Sequence, residues 1–334
     1  MKEKISVLVT GGAGYIGAHV VNLLRKSGEY KIDVVDIFLE SKKNIISDTS
    51  VTYHEVDIRN KDSLLKVFQS SKPEIVFHLA ALTSVPGSVA EPASYYSVNI
   101  FGGINLLECM IDTKVNKIVF SSSAAVYGNS VSEFIDESHI KLPTNPYGYT
   151  KLVFENILKD YNKAYGFTSI SLRYFCAAGC DTLSGLGEHH KNETHVIPSI
   201  IETILGKRDE FFVYGNKYAT SDGTGIRDYI HVSDLAEGHI CAMNKLLTGE
   251  NICNQYNLGI GKGFSVLELI KEAEAISGKK LNFSFREARP GDPSKLVADS
   301  TRAQKDLGWK PRFLDIRELV ESVYIFKNST KEEF

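Results

Sequence analysis

The sequence predicts an α/β fold, a doubly wound parallel sheet with a smaller mixed α/β lobe, on three observations. Short β-branched runs alternate with longer amphipathic segments through the first 175 residues, as in βαβ units around a sheet buried on both faces. A glycine-rich turn follows the first run directly. After residue 175 the alternation breaks into loops and shorter segments, and 334 residues leave room for both parts.

The elements of the predicted sheet follow in chain order. The β-branched runs that predict strands are 5–10, 32–36, 51–56, 74–79, 116–121 and 169–174. The amphipathic segments that predict the connecting helices are 15–27, 62–70, 93–112 and 147–165. Parallel strands joined in this way cross over right-handedly.

The second part of the chain predicts a lobe laid over the sheet. Its predicted elements are a short helix near 197–206 and strands around 211–214, 228–232 and 281–285. We expect a first domain at 1–175, with a returning segment near 226–250. Residues 176–334 then form mainly the second lobe.

Composition excludes several classes of protein. The AVILMFWYC residues make up 43% of the chain, too large a share for a mainly disordered protein. With 38 Lys plus Arg against 41 Asp plus Glu, the net charge is -3, so no overall field attracts nucleic acid or anionic lipid. The chain contains no run of about 18 apolar residues, so no membrane span is expected.

The cysteines indicate a reducing compartment. Their number is odd, and no C-x-x-C pair occurs among Cys109, Cys176, Cys180, Cys241 and Cys253. We expect no disulfide framework and no metal site. The apolar run 5–10 is too short for a signal peptide. A cytoplasmic protein is therefore expected.

The glycine turn predicts a dinucleotide site. Gly11, Gly14 and Gly17 stand between the first strand and the first helix, where glycines allow a pyrophosphate to approach the helix amides. Asp36 ends the next strand, where a carboxylate accepts a hydrogen bond from a ribose 2′-hydroxyl and repels a 2′-phosphate. This order favours NAD over NADP in a Rossmann-type domain. The alternative is a purely structural turn.

A serine run and a Tyr/Lys pair predict the chemistry. Strand 116–121 ends in Ser121-Ser122-Ser123, and Tyr147 and Lys151 lie one turn apart on the helix that follows Pro146. Tyrosine is a poor base at neutral pH. Lys151 and an oxidised nicotinamide, each about 7 Å from the phenolate, would each supply roughly 2 kcal/mol toward lowering the tyrosine's pKa. Alone, such a pair is an ordinary feature of an amphipathic helix.

These motifs together resemble a known family. Val9-Thr10-Gly11-Gly12-Ala13-Gly14-Tyr15-Ile16-Gly17, the serine run, Tyr147 with Lys151, and Leu172-Arg173-Tyr174-Phe175 are similar to those of the extended short-chain dehydrogenase/reductase superfamily. Within it, the chain resembles the UDP-glucose 4-epimerase (UDP-galactose 4-epimerase) family nearly end to end. Its most specific matches are the segments 222–232 and 289–292.

The resemblance implies an NAD-dependent isomerase of carbohydrate and galactose metabolism. In that family the tyrosine takes the proton of the sugar 4-hydroxyl while hydride passes from C4 to NAD+, with serine assisting. The 4-keto sugar turns about its diphosphate link, and the hydride returns to the opposite face. Besides the catalytic Ser123, Tyr147 and Lys151, the implied cofactor residues are Gly11, Gly14, Tyr15, Ile16, Gly17, Asp36, Asp57, Ile58, Leu79, Ala80, Ala81, Asn99, Ser121 and Tyr174.

The second lobe is expected to bind the UDP-sugar substrate. The resemblance implies that Arg227 and Arg289 hold the diphosphate and that Asp292 accepts the uridine ribose hydroxyls. Without it, the two arginines are ordinary surface or ion-pair residues. The remaining implied substrate residues are Ser123, Phe175, Cys176, His195, Val196 and Tyr214, with Tyr214 on uracil and Phe175 beside the hexose.

Three positions depart from the family pattern. Cys176 stands where the family usually has Asn, and a thiol is a poor hydrogen-bond donor. Thr83 stands where many members have a lysine that reaches the cofactor ribose. Lys295 occupies a position at which the side chain is bulky in some family members and small in others, and this size controls entry of N-acetylated sugars. UDP-GlcNAc and UDP-GalNAc are therefore a further candidate substrate pair.

Other functions remain open on the sequence. One is epimerisation of a UDP-pentose or UDP-uronate, and another is a non-catalytic NAD-binding protein. A 4,6-dehydratase would need an Asp-Glu pair where Ala124 and Ala125 follow Ser123. By analogy we expect a homodimer through helices 93–112 and 147–165. The apolar residues of these helices, equally compatible with intrachain core, are Val98, Ile100, Leu106, Leu107, Val153, Phe154 and Ile157.

Overall fold

The computed structural model describes residues 4–37, 46, 48–129, 132–189, 193–289 and 292–329. Its strands are β1 (Ile5–Thr10), β2 (Tyr30–Asp36), β3 (Val51–Glu55), β4 (Ile75–His78), β5 (Lys117–Ser121), β6 (Thr168–Tyr174), β7 (Cys176–Ala178), β8 (Phe211–Tyr214), β9 (Ile226–His231), β10 (Cys253–Leu258), β11 (Gly263–Ser265), β12 (Phe283–Arg286) and β13 (Lys295–Leu296).

The α-helices are α1 (Tyr15–Ser27), α2 (Lys61–Ser71), α3 (Val85–Ala90), α4 (Pro92–Tyr95), α5 (Gly103–Asp112), α6 (Pro146–Tyr165), α7 (Val196–Ile204), α8 (Val232–Leu247), α9 (Val266–Ser277), α10 (Thr301–Leu307) and α11 (Ile316–Ser329). A π-helical segment, Tyr96–Gly102, joins α4 to α5, and a single 3-10 turn, Ala124–Val126, follows β5.

The main sheet confirms the predicted fold class. Its seven strands are all parallel, in the order β10-β6-β5-β4-β1-β2-β3. The strand order reverses between β1 and β4. In open α/β sheets, ligands bind outside the carboxyl ends of the strands at such a reversal, so the topology predicts where the site lies.

Apolar layers cover both faces of this sheet. Helices α1 and α8 pack on one face, where Val20, Leu24 and Leu235 join the core with strand residues such as Val7. Helices α2, α5 and α6 pack on the other face around the buried Phe154. Successive residues of β1 point into different layers, as the two-residue period of a strand requires.

The lobe is built from smaller sheets. Strand β9 pairs with β7, β11 and β13, and β8 pairs with β12. Helices α7, α9 and α11 enclose its core, in which Ile201, Leu269 and Val323 are buried. The lobe strands predicted at 228–232 and 281–285 therefore form, each shifted by one or two residues.

The prediction of a single helix at 93–112 was wrong in its middle. There the backbone takes the wider π-helical form at Tyr96–Gly102. In this segment Asn99 uses its side-chain amide to bond both the N–H and the C=O of Leu82, at 2.9 and 3.0 Å. An inserted wide turn is typical of functional regions, and apolar periodicity does not reveal it.

Strand β10 was not predicted, because its sequence is too polar for a buried strand. Nevertheless Asn257 is fully buried, since the Tyr127 hydroxyl donates to its side chain and its own amide donates to the Ile135 carbonyl. Side-chain partners distant in sequence make burial of these polar groups tolerable. Helices α3, α8, α9, α10 and α11 were likewise not predicted individually.

In the part of the chain that the structure describes, no helix combines the length and the hydropathy of a membrane span. All five cysteines are free. Helix α11 continues as far as Ser329, and residues 330–334 lie outside the described residues.

Replacement of Leu107 tests whether α5 contributes to the intrachain core. Its side chain is fully buried, so Leu107→Ala should lower the free energy of unfolding by about 2–5 kcal/mol through lost burial and a residual cavity. Urea unfolding measures this loss. Leu183→Ala is the matched control, because Leu183 is 99% exposed and should change stability by less than about 0.5 kcal/mol. Equal midpoints for the two variants would contradict the packing.

Candidate active site

A cavity of about 1010 Å³ opens at the carboxyl edge of the main sheet, against the lobe. It brings together most of the residues that the sequence singled out. The predicted residues that line it are Gly11, Gly14, Tyr15, Ile16, Gly17, Asp36, Asp57, Ile58, Leu79, Ala80, Ala81, Ser123, Tyr147, Tyr174, Phe175, Cys176, His195, Val196, Tyr214, Arg227, Arg289 and Asp292. Asn99, Ser121 and Lys151 lie behind its wall.

The glycine loop is shaped by close backbone contacts. Gly11 has a φ of 73°, and a Cβ there would collide with the backbone of Ala80. A Cβ on Gly17 would collide with the carbonyl oxygen of Gly11. Gly14 precedes α1 without a side-chain cap, and the first turn of the helix carries no acidic residue. The helix amides at the cavity are therefore suited to an anionic group.

The two acidic residues predicted for the cofactor site, Asp36 and Asp57, differ in their surroundings. Asp36 accepts a hydrogen bond from the N–H of Ala13 at 3.1 Å, which holds the carboxylate beside the glycine loop. Asp57 is bound by the guanidinium of Arg59, whose hydrogen bonds keep the pKa of the carboxyl below its ordinary value. Asp36 is thus placed at the loop, whereas Asp57 is engaged by its own turn.

The serine run and α6 place two hydroxyls together. Asn145 caps the helix by accepting from the N–H of Gly148 at 2.9 Å, and Pro146 occupies its first turn. Tyr147 then lies on the cavity wall near Ser123, whose hydroxyl acts to lower the phenol pKa. Ser123 also accepts from the N–H of Ala125 at 3.1 Å, which fixes the serine side chain.

Lys151 is buried one turn further along the helix. Its Nζ donates to the carbonyl oxygen of Ser121 at 2.7 Å and lies 5.7 Å from the centre of the Tyr147 ring. The Phe120 ring lies 4.9 Å from the same Nζ. This arrangement holds the Lys151 ammonium behind Tyr147 and outside the cavity. A positive charge in this position can act on the phenol.

Burial opposes the charged forms of both groups. It raises the pKa of Tyr147 to about 12, against the effect of the Ser123 hydroxyl, which lowers it. It lowers the pKa of Lys151 to about 7, against the attraction of Glu155. This desolvation opposes the attraction that we expected from the sequence between the phenolate and its two cations, Lys151 and the nicotinamide. A further cation in the cavity is therefore needed before the phenolate is favoured near neutral pH.

Ser121 and Asn99 support the wall from behind. The Ser121 hydroxyl bonds the Tyr174 hydroxyl at 2.8 Å and His239 Nε2 at 3.3 Å. Burial lowers the pKa of His239 to about 4, so the ring is neutral. Asn99 bonds Thr150 Oγ1 at 3.0 Å and holds the segment at Leu82. Both residues position cavity residues, and their side chains are occupied within the protein.

The lobe side of the cavity carries two arginines that are already paired. Arg227 bonds the carboxylate of Asp292, and also donates to the carbonyl of Ile226 at 2.8 Å. The guanidinium of Arg289 lies 4.2 Å from the centre of the Tyr214 ring. An incoming diphosphate would exchange these contacts for charge-assisted hydrogen bonds.

His195 belongs to an ionic cluster. Its Nδ1 lies 2.6 Å from Glu188 and 3.5 Å from Glu193. Burial opposes its charge, but the two carboxylates raise the pKa of His195 to about 10. Among the described residues, this is the grouping whose donor atoms could hold a metal ion. The charged histidine accounts for the arrangement as an ion-pair cluster.

His231, unlike His195, serves the fold. Its Nδ1 accepts from the N–H of Ser233 at 3.1 Å at the start of α8, and its ring stacks on Phe313 with centres 3.9 Å apart. A backbone cap and a ring contact therefore give the His231 imidazole a structural role.

The three departures from the family pattern all lie at or near the cavity. Cys176 lines it, and burial raises the pKa of its thiol to about 11, which leaves it uncharged and weakly reactive. Thr83 also lines it. Lys295 does not line it, and its Nζ pairs with the exposed Glu133 at 3.0 Å and lies 5.4 Å from the centre of the Phe134 ring.

Sequence reasoning missed several residues of the wall. Pro86, Val89 and Phe212 add apolar surface, and Glu188 and Arg208 add charge. None belongs to a motif, since each comes from the short helix α3, a loop or a short strand that only the tertiary fold brings to the cavity. The Glu155–Arg173 pair behind the serine run was missed for the same reason, although Arg173 lies within a quoted motif.

Relatives share both the sequence and the fold. The family model described as GDP-mannose 4,6 dehydratase matches residues 8–323. UDP-glucose 4-epimerase of Halalkalibacterium halodurans is 42% identical over 96% of this chain and 95% of its own length.

Two solved structures extend the comparison. UDP-glucose 4-epimerase of Bifidobacterium longum, in complex with NAD+ and UDP, is 38% identical with a TM-score of 0.90, over 96% of this chain and 98% of that chain. The UDP-Glc/GlcNAc 4-epimerase of Campylobacter jejuni is 33% identical with a TM-score of 0.85, over 98% and 100%. The chain therefore belongs to the family that the matching model describes and, within it, to the UDP-glucose 4-epimerases.

Proposed function

We propose that this chain interconverts UDP-glucose and UDP-galactose by inverting C4 of the hexose with bound NAD. The observation that carries this proposal is the placement of Ser123 and Tyr147, backed by Lys151, on the same cavity wall as the glycine loop. One cavity thus has room for a dinucleotide beside a sugar nucleotide. The chain is an isomerase that uses NAD, as its family membership requires.

The glycine loop and Asp36 fit a dinucleotide. A Cβ at Gly17 would collide with the Gly11 carbonyl oxygen, and no side chain caps the first turn of α1. We infer that Gly11, Gly14 and Gly17 with Tyr15 and Ile16 hold the pyrophosphate, and that Asp36 holds a ribose. Bound NAD supplies the acceptor and donor of hydride at the sugar C4.

Tyr147 is the proposed base. Its hydroxyl would take the proton of the sugar 4-hydroxyl during oxidation and return it during reduction, with Ser123 bonded to the same oxygen. Proton transfer of this kind contributes typically 10²–10⁴-fold. Lys151, held by the Ser121 carbonyl at 2.7 Å, stabilises the phenolate through space. Since burial raises the pKa of Tyr147 to about 12, the positive nicotinamide is a necessary second cation.

The lobe is proposed to hold UDP. Arg227 and Arg289 are cations at the cavity, and a diphosphate matches the fork of an arginine better than their present partners do. Asp292 would then be released to accept ribose hydroxyls, while Tyr214 lies beneath uracil. His195, Val196, Phe175 and Cys176 complete this wall. Anchoring at the diphosphate leaves the hexose able to present either face of C4 to one base.

The dehydratase reaction fits this site less well. Elimination requires an acid beside the active-site hydroxyl, and the residues after Ser123 are Ala124 and Ala125 in a 3-10 turn. Epimerisation of N-acetylated UDP-sugars is a second candidate, because the Campylobacter jejuni relative is named for both Glc and GlcNAc. UDP-pentoses and UDP-uronates remain alternatives.

Incubation with UDP-glucose tests the function. The protein, with its bound NAD, should convert UDP-glucose to an equilibrium mixture with UDP-galactose, with no net NADH formed. Chromatographic separation of the two epimers measures the conversion. UDP-GlcNAc, assayed separately, tests the second candidate. If none of the UDP-sugars changes, the proposed function is wrong.

Tyr147→Phe tests the base. Loss of the hydroxyl should lower kcat by roughly 10²–10⁴-fold, while NAD content, measured on the denatured protein, stays at the level of the unmodified chain. Tyr165→Phe is the matched control, because Tyr165 lies on the same helix and is 58% exposed. Unchanged turnover in Tyr147→Phe would refute the assignment.

We also propose the domain division, the location and the oligomeric state. Residues 1–175 with the returning chain that carries α8 form the NAD half, and the rest forms mainly the UDP-sugar lobe. Five free cysteines suit a reducing cytoplasm. Of the apolar residues considered for a dimer, Leu106, Leu107 and Phe154 are buried in the intrachain core.

A homodimer would instead use the exposed apolar residues of these elements. Tyr96, Phe101 and Tyr149 are 42%, 55% and 51% exposed, on α6 and on the π-helical segment that packs against it. Light scattering should give the mass of two chains, and Phe101→Glu should reduce it to that of one. A single-chain mass for the unmodified protein would refute the dimer.

A further inference from the structure

Three successive serines each lie against a different turn of α6. The Ser123 hydroxyl lies near Tyr147, where it acts to lower the phenol pKa, and the carbonyl of Ser121 accepts from Lys151. Ser122 donates its hydroxyl to Glu155 Oε1 at 2.6 Å. The α6 residues in these contacts, Tyr147, Lys151 and Glu155, are four positions apart. The end of β5 is therefore joined to α6 along more than two turns.

Glu155 is paired in the interior with an arginine of the neighbouring strand. Arg173 on β6 donates from Nε to Glu155 Oε1 at 2.8 Å and from Nη2 to Oε2. Their side chains are 0% and 1% exposed. A buried ion pair contributes little net stability compared with apolar residues of the same volume, because both charges lose their hydration. What such a pair does provide is a fixed geometry.

The pair is also tied to the rest of the sheet. Arg173 Nη1 donates to the Tyr127 hydroxyl at 2.9 Å, and that hydroxyl donates to Asn257 on β10 at 2.6 Å. Helix α6, the ends of β5 and β6, and β10 thus share one hydrogen-bonded network. A shift of α6 along its axis would break several of these bonds at once.

We propose that Glu155, held by Ser122 and Arg173, is a positioning residue that sets the register of α6 against the serine run and so aligns Tyr147 and Lys151. Glu155 does not touch the cavity and acts through the helix. A one-turn spacing places its carboxylate next to Lys151 along the same face. This inference rests on the proposed function, because it concerns the geometry of the base.

Charge from Glu155 adds to its geometric role. The other groups near the Tyr147–Lys151 pair are His78 on β4, which burial holds neutral with a pKa of about 3, and the phenols of Tyr95 and Tyr174. The Glu155 carboxylate favours the protonated form of Lys151. Loss of that carboxylate would therefore remove both the alignment and an attraction for the lysine charge.

Four variants test the proposal. Glu155→Gln removes the charge but keeps the length of the side chain. Glu155→Gln with Arg173→Met removes both charges and leaves no unpaired ion in the core. Ser122→Ala removes a single hydrogen bond without stranding a charge. Ser169→Ala is the matched control, because Ser169 is also a buried strand serine, but its hydroxyl bonds Cys253 on β10 and not a residue of α6.

Turnover, KM, bound NAD and Tm are measured for each variant with UDP-glucose. We expect Glu155→Gln to lower kcat at least tenfold and to lower Tm. The double variant should recover much of the Tm while kcat stays at least tenfold low. Ser122→Ala should lower kcat about three- to tenfold with little change in Tm. KM and bound NAD should stay within twofold, and Ser169→Ala should match the unmodified chain.

A purely structural role predicts a different result. In that case kcat would recover together with Tm in the double variant, and Ser122→Ala would match Ser169→Ala, which would overturn the proposal. A raised KM at unchanged kcat would overturn it too. If the double variant does not fold, Ser122→Ala decides alone. Inactivity of the unmodified chain on UDP-sugars would overturn the proposed function and this inference with it, whereas an active chain with insensitive variants overturns the inference only.

Discussion

In the proposed chemistry Lys151 acts as a cation although it is buried, and the 2.7 Å hydrogen bond from its Nζ to the Ser121 carbonyl fixes where that charge lies. The carbonyl is at the end of β5, so the position of the charge depends on the sheet edge. Tyr147 and Ser123 then meet at the cavity because the same edge and the same helix carry them. Placement of α6 against β5 is the constraint on which the proposed chemistry depends.

Desolvation of Tyr147 and Lys151 makes this placement of α6 important for the proposed chemistry. The pocket raises the pKa of Tyr147 to about 12 and lowers that of Lys151 to about 7, so each group by itself prefers to be neutral. A positive nicotinamide beside the phenol would reverse the preference only when the cofactor is oxidised. Tyr147 would thus act as a base while the oxidised cofactor is ready to accept hydride. It would act as an acid after the cofactor has been reduced.

Paired charges elsewhere explain how a chain of net charge -3 can bind two diphosphates. In the lobe, Arg227 bonds Asp292 and Arg289 lies over Tyr214, so the cations are present at the cavity without dominating the overall field. At the proposed cofactor site the amides at the start of α1 would provide the positive potential. Local groups, and not net charge, account for anion binding.

The sequence by itself determined six of the seven strands of the main sheet, the glycine turn with Asp36, and the pairing of Tyr147 with Lys151, because each rests on local periodicity or on motif spacing along the chain. Strand β10, the π-helical segment at Asn99 and the Glu155–Arg173 pair were decided only by the tertiary structure. Asn257 and Glu155 are polar residues in the core, and their burial is tolerable only because partners distant in sequence satisfy them. Hydrophobic patterning cannot reveal such partners, since they meet only when the chain has folded.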